Sequence, residues 1–124
     1  MVRALFDTNI LVDYLNGIPQ AKAELGRYAD KAISIITVME VLIGETPESE
    51  APIRQFLNGF QHLAIEAAVS DAAIDLRRQH KIKLPDAIIW ATAQVHGRVL
   101  VTRNTKDFPA RSPGVHVPYR LPTH

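Results

Sequence analysis

Cysteine is absent from all 124 residues, which excludes disulfides, thiolate metal sites and a cysteine nucleophile. Long hydrophobic runs are missing too. No apolar stretch approaches the roughly 20 residues that cross a bilayer, and Met1-Val2-Arg3 leads into a short strand pattern rather than a signal-peptide core. The expected location is the cytoplasm, with no membrane association. Nor is there an excess of one charge: fourteen Lys and Arg against thirteen Asp and Glu leave a net charge of +1. The bulk basic signature of a nucleic-acid binder is therefore lacking, and any contact with RNA or DNA must come from local placement. The five histidines, His62, His80, His96, His116 and His124, show no short metal-ligand spacing, and HExxH does not occur. Zinc chemistry is disfavoured. There is no internal repeat, low-complexity segment or linker, so residues 1–124 read as a single domain with one core and no room for a second.

What is present is an alternation of strand and helix patterns. Val2 to Phe6 reads as a short strand, and Asp7-Thr8-Asn9 offers side-chain oxygens to cap a helix from Ile10 to Asn16, ended by Gly17 and Pro19. Gln20 to Asp30 reads as a second helix, Ala32 to Ile36 as a β-branched strand, and Thr37 to Ile43 as a helix that stops at Gly44. Ile53, Phe56, Leu57 and Phe60 recur at helical spacing, predicting a helix over Glu48 to Phe60 with Pro52 near its first turn. A brief strand, Leu63 to Ile65, follows. Ser70 is positioned to cap a helix from Asp71 to His80, with Ala72, Ala73, Ile74 and Leu76 inward. A basic loop, Lys81 to Leu84, leads through Pro85 into a helix from Asp86 to His96, capped by Gly97. Strands are expected at Val99 to Val101 and Val115 to Val117. The alternation implies an α/β fold: a mainly parallel sheet between two helical layers.

Four acids, Asp7, Glu40, Asp86 and Asp107, stand at or just beyond the ends of apolar runs. In open parallel sheets, ligands bind outside the carboxyl ends of the strands, where such residues would converge. Gathered carboxylates raise one another's pKa unless a cation holds them together. An oxygen-only donor set favours Mg²⁺ or Mn²⁺, which use a few carboxylates and keep waters. The bound ion inverts the local charge and lets a phosphodiester approach, so the pattern suggests hydrolysis of phosphate esters by a metal-activated water. Lys81, Lys83, Arg103 and Lys106 flank two of the acids and are candidate contacts for neighbouring phosphates.

Each acid also has a plain structural reading. Asp7 can be a helix cap, Thr37-x-x-Glu40 a capping box, Asp86 a complement to a helix dipole, and Asp107 a turn residue. Their coincidence at one predicted edge shifts the weight to a site. Trp90, one turn after Asp86, reads as a border of that site or as a core or subunit contact, and Arg77-Arg78 as a solvated helix face.

The segments LFDTNILVDYL, ISIITVMEVLIG, LPDAIIWATAQVHG and LVTRNTKDF resemble, in order and spacing, the PIN-domain ribonucleases, most closely the VapC toxins of type II toxin–antitoxin modules. The resemblance covers nearly the whole chain. It implies a three-layer α/β/α PIN-like domain and Mg²⁺- or Mn²⁺-dependent endonucleolytic cleavage of RNA, tRNA or rRNA among the substrates. It further implies a homodimer and silencing by a VapB-like antitoxin. Asp7 and Asp86 match the family's principal metal ligands, Glu40 and Asp107 the rest of its catalytic quartet, and Asn9, Thr102 and Asn104 its polar support. Two positions depart from the pattern. Asn104 stands where many relatives carry Asp, which puts a second metal in doubt, and Trp90 replaces a small residue.

Two other classes compete. A phospho-accepting receiver domain has similar length and an acidic Mg²⁺ pocket, but expects adjacent acids after its first strand and a late Lys-Pro; here stand Asp7-Thr8-Asn9 and Thr102-Arg103-Asn104. A non-catalytic RNA- or protein-binding relative would keep the fold without needing all four acids.

Overall fold

The computed structural model describes residues 2–109 and 111–122; Met1 and His124, both considered above, lie outside them. In chain order the elements are β1 (Arg3–Phe6), α1 (Thr8–Leu15), α2 (Pro19–Gly26), β2 (Asp30–Ser34), α3 (Ile35–Ile43), α4 (Pro47–Leu57), β3 (Gln61–Leu63), α5 (Ala67–His80), α6 (Leu84–Val95), β4 (Val99–Val101) and β5 (Val115–His116). The five strands form one sheet in the order β3-β2-β1-β4-β5, and every pairing is parallel. Parallel neighbours require crossovers, which here carry the helices over both faces.

Alternation along β1 shows how the sequence builds two cores. Leu5 joins Ala32, Leu63 and Leu100 against α5 and α6, including Ala73, Leu76, Ile89 and Trp90. Ala4 and Phe6 point the other way, with Ile33 and Val101, onto Ile10, Leu25, Val38, Val41 and Leu57. A two-residue period thus sorts one strand between two helical layers. Among the described residues no helix is long and apolar enough to cross a membrane.

Several boundaries differ from the sequence reading. The second helix stops at Gly26 rather than Asp30, because Asp30 opens β2 in register with Arg3 and ion-pairs with Arg3 and Arg98. β2 ends at Ser34, whose hydroxyl accepts the Ile36 N–H at 3.2 Å and caps α3. Ile35 and Ile36 are therefore helical, and the Thr37–Glu40 capping box does not form: Thr37 is a buried residue inside α3. β-branched residues straddle that junction, so side-chain shape did not mark it. The helix α5 begins at Ala67, a turn before the expected Ser70, with no side-chain cap, and Ile74 faces solvent while Val69, Ala73 and Leu76 turn inward. Pro52 sits in the second turn of α4, whose start is fixed by a Thr46–Ser49 capping box, and Phe60 lies beyond that helix. β3 forms at Gln61–Leu63, two residues earlier than expected, α6 begins at Leu84 with Pro85 in its second position, and β5 is confined to Val115–His116.

The chain lays down β1, β2 and β3 toward one edge, then returns to place β4 and β5 on the other side of β1. That reversal opens a crevice between the carboxyl ends of β1 and β4.

Candidate functional site

Asp7 occupies that crevice. Its backbone N–H extends the β1–β4 ladder to the Val101 carbonyl at 2.9 Å, and its side chain caps α1, with Oδ1 accepting the Thr8 N–H at 2.8 Å. Oδ2 accepts from the Thr102 hydroxyl at 2.8 Å and from Asn9 Nδ2 at 3.1 Å. The cap and the site are thus one residue. Asp7 is only 4% exposed, and burial pushes its carboxyl up to about 6; bonds from Thr102 and Thr8 oppose this, and the charges of Glu40 and Asp107 add to it.

Glu40 reaches the crevice from α3. Its Oε1 accepts from the Thr8 hydroxyl at 2.7 Å, and that hydroxyl lies 3.0 Å from the hydroxyl of buried Thr37. Thr37 is therefore the second rank of a polar relay rather than a cap. Asp86 lies in the first turn of α6 and is half-buried; burial, then the charges of Asp7 and Asp107, lift it to about 7. A hydrogen bond to Asp107 also favours its protonated form.

Asp107 belongs to the loop after β4. Asn104 shapes that loop: its Oδ1 accepts the N–H groups of Lys106 and Asp107, each at 3.2 Å, and its Nδ2 donates to Asp107 Oδ2 at 2.9 Å. Thr102 Oγ accepts the Asn104 N–H at 3.0 Å. The fully buried Phe108, edge-on to Trp90 at 5.9 Å, anchors the loop from below. Trp90 is thus a core residue in this fold, 4% exposed.

All four acids line one open cavity of about 370 Å³, together with Asn9, Asn104, Lys83 and Arg103. Thr102 stands behind Asp7, while Lys81 and Lys106 are exposed outside the lining. The Arg103 guanidinium is committed to Asp13 through two bonds of 2.6 and 2.8 Å, so it shapes the wall instead of standing free toward a phosphate. The pattern reading missed Thr8, Asp13 and Tyr119. Thr8 had a signal, since it adjoins Asp7; the other two act over long separations.

The donor chemistry suits a hard cation: oxygen ligands only, with two carboxyls raised by burial and by the charges of the neighbouring acids. Among the described residues, however, no three His, Cys, Asp or Glu side chains are already gathered as a ligand set. The acids share a cavity without closing into a cage.

Comparison with known proteins agrees with this fold. The family model for the PIN domain matches residues 4–111. Among solved structures, a toxin–antitoxin complex from Klebsiella pneumoniae contains a chain 46% identical, superposing with a TM-score of 0.90 over 95% of this chain and 99% of that one. FitAB bound to an IR36 DNA fragment is 27% identical, with a TM-score of 0.81 over 98% and 99% of the two chains. DNA-bound VapBC from Salmonella typhimurium, at 23% identity and a TM-score of 0.77 over 94% and 96%, shares the fold. No curated protein matches.

Proposed function

The chain belongs to the PIN-domain family, and from that membership we propose that it is the toxin of a VapBC-type pair, acting as a Mg²⁺- or Mn²⁺-dependent endoribonuclease. The observation that carries this reading is the convergence of Asp7, Glu40, Asp86 and Asp107, from four separate segments, on one cavity where burial and the neighbouring acids oppose the ionisation of Asp7 and Asp86. An arrangement that destabilises its own charges is suited to a cation the chain does not itself supply.

Asp7 and Asp86 are the carboxylates assigned to hold the ion, with Glu40 and Asp107 completing the acidic wall. When bound, the ion supplies Lewis acidity and a water of lowered pKa. Thr102 and Asn9 fix the orientation of the Asp7 carboxylate by donating to its inner oxygen, and Thr8 holds Glu40. Asn104 keeps Asp107 turned toward the cavity. Lys83 in the cavity wall, with Lys81 and Lys106 outside it, is placed to neutralise backbone phosphates of an RNA. The toxin–antitoxin setting of the 46% identical structure supports an antitoxin protein as partner. A homodimer in the cytoplasm completes the proposal.

The test is cleavage of structured RNA, tRNA and rRNA included, by the purified chain with Mg²⁺, Mn²⁺ or chelator, beside Asp86→Asn. Metal-dependent cuts at discrete positions that vanish in the variant are expected. Cleavage undiminished by chelator or by Asp86→Asn would overturn the reading.

Thr8→Val keeps the shape and backbone N–H of Thr8 and removes only its hydroxyl. Glu40 then loses its partner on α1, and the expected result is about a tenfold fall in cleavage rate from misplacement of one carboxylate. The melting temperature should fall by only a few degrees, because Glu40 is exposed but the buried Thr37 hydroxyl also loses a partner; a rate equal to the parent's would remove Thr8 from the machinery.

A further inference from the structure

Arg103 lies between two residues that grip the acids: Thr102 donates to Asp7, and Asn104 donates to Asp107. Its own side chain crosses to α1, where Nε and Nη2 donate to Oδ2 and Oδ1 of Asp13 at 2.6 and 2.8 Å. A bidentate guanidinium–carboxylate pair fixes orientation as well as distance. Its backbone N–H adds a longer bond, 3.3 Å, to Asn9 Oδ1. Loop and helix are therefore tied beside the crevice.

A third group closes the tie. Tyr119, in the segment after β5 and beyond the residues matched by the family model, donates its hydroxyl to Asp13 Oδ2 at 2.8 Å. Its ring packs against the core beneath α1. The same terminal segment meets the loop again, where Arg120 and Leu121 border a cavity of about 230 Å³ with Arg103 and Thr105. Asp13 is 4% exposed, so its charge needs all the donors it is given.

The pair of buried Arg98 with partly exposed Asp30 offers a contrast. It has similar distances but lies before the strands, at the opposite edge of the sheet, and neither residue lines the acidic cavity. The Asp13 cluster, unlike that pair, joins the helix capped by Asp7 to the loop carrying Asp107, alongside the shorter-range bonds of Thr102 and Asn9.

We propose that Asp13, Arg103 and Tyr119 form a strap that sets the Asp107 loop relative to Asp7, making Asp13 and Tyr119 positioning residues for the active site. The proposal rests on the ribonuclease reading above. Without the strap, Thr102 and Asn104 lose their common anchor, and the acids fall out of register by less than the fold itself would notice.

The experiment compares wild type with Tyr119→Phe, Arg103→Lys and Asp13→Asn in three measurements: steady-state RNA cleavage, melting, and calorimetric titration of the RNA-free protein with Mn²⁺. Tyr119→Phe keeps the ring and removes one donor, so kcat should fall about fivefold with KM little changed, and Mn²⁺ affinity should weaken about threefold. Arg103→Lys, which cannot bind both carboxylate oxygens, should lose about thirtyfold in kcat. Rates are to be read well below each melting temperature, so that a merely structural role leaves them unmoved. If Asp13→Asn does not fold, the other two variants decide. Rates and Mn²⁺ affinities at wild-type level in both Tyr119→Phe and Arg103→Lys would overturn the strap. If wild type cleaves no RNA with either ion, the ribonuclease reading fails separately, and the Mn²⁺ titration still decides the strap.

Discussion

Asp7→Asn is expected to remove roughly a thousandfold of the cleavage rate and, in the same molecule, to raise the melting temperature of the metal-free protein at pH 7. The two effects share one cause. Asp7 is buried, and its carboxyl is pushed from 3.8 to about 6. A folded-state pKa above the unfolded value means that the fold favours the protonated form. Below pH 4 the group is largely protonated in both states and costs nothing. As pH rises from 4 to 6 the unfolded chain ionises freely while the folded one resists, and above 6 the full penalty is present, on the order of 3 kcal/mol. Asparagine carries no such charge.

Part of that gain is returned. The inner oxygen of Asp7 accepts from both Thr102 and Asn9, and an amide nitrogen placed there can accept from neither. The Thr102 hydroxyl can turn to accept instead, leaving Asn9 facing a donor. A net gain of about 1–2 kcal/mol, or very roughly 4–8 °C for a domain of this size, is the expected balance. Melting in chelator between pH 4 and 8 checks it: the advantage of Asp7→Asn should widen up to about pH 6 and then level. Added Mn²⁺ should raise wild type alone. A variant that melts below wild type at pH 7, or cleaves RNA at the parental rate, would contradict the role assigned to Asp7.

Arg98→Ala is expected to have the largest effect on stability and none on the chemistry. Arg98 precedes β4, with its side chain 1% exposed, and reaches across three strands. Nη1 donates to the Ala4 carbonyl of β1 at 3.2 Å and to Asp30 of β2 at 2.8 Å, while Nη2 donates to Gln61 of β3 at 2.8 Å. One guanidinium thus pins the starts of four neighbouring strands. Its Nε is buried with no acceptor among the described residues, which offsets part of the gain, and Asp30 and Gln61 can turn to water when Arg98 is removed. The net loss should be about 3 kcal/mol, roughly 10 °C in melting temperature, from lost charge-assisted bonds and the cavity left behind. The acidic cavity lies at the far edge of the sheet, so kcat measured well below melting should match wild type. A loss under about 1 kcal/mol would mean that water replaces Arg98 at little cost.

Much of this molecule was legible in the sequence because the relevant signals are local. Asp7 stands at a strand end and caps the next helix, and both roles follow from residues within three positions of it. Gly97, at φ +63°, ends α6 where a left-handed residue was needed. Local reading failed where two elements abut without punctuation. Ile33 to Ile36 is uniformly compatible with a strand, and only the Ser34 side chain, bonding two residues ahead, decides where the helix starts. It failed again where partners are remote. Arg103 beside an acidic motif reads as a free cation, yet its partner Asp13 lies 90 residues back and Tyr119 joins them from 106 residues beyond Asp13. No periodicity carries such a pairing.

The placement of β4 beside β1 has a consequence for synthesis. Asp7 and the Thr102 hydroxyl that orients it are 95 residues apart along the chain, and Asp107 comes later still. Proteins emerge from the ribosome amino end first. A growing chain therefore holds its first two acids long before the strand and loop that turn them into a site. For a protein proposed to cut RNA, the translating ribosome is its first neighbour, and the order of the strands leaves the acidic site unassembled until β4 and the loop after it have emerged.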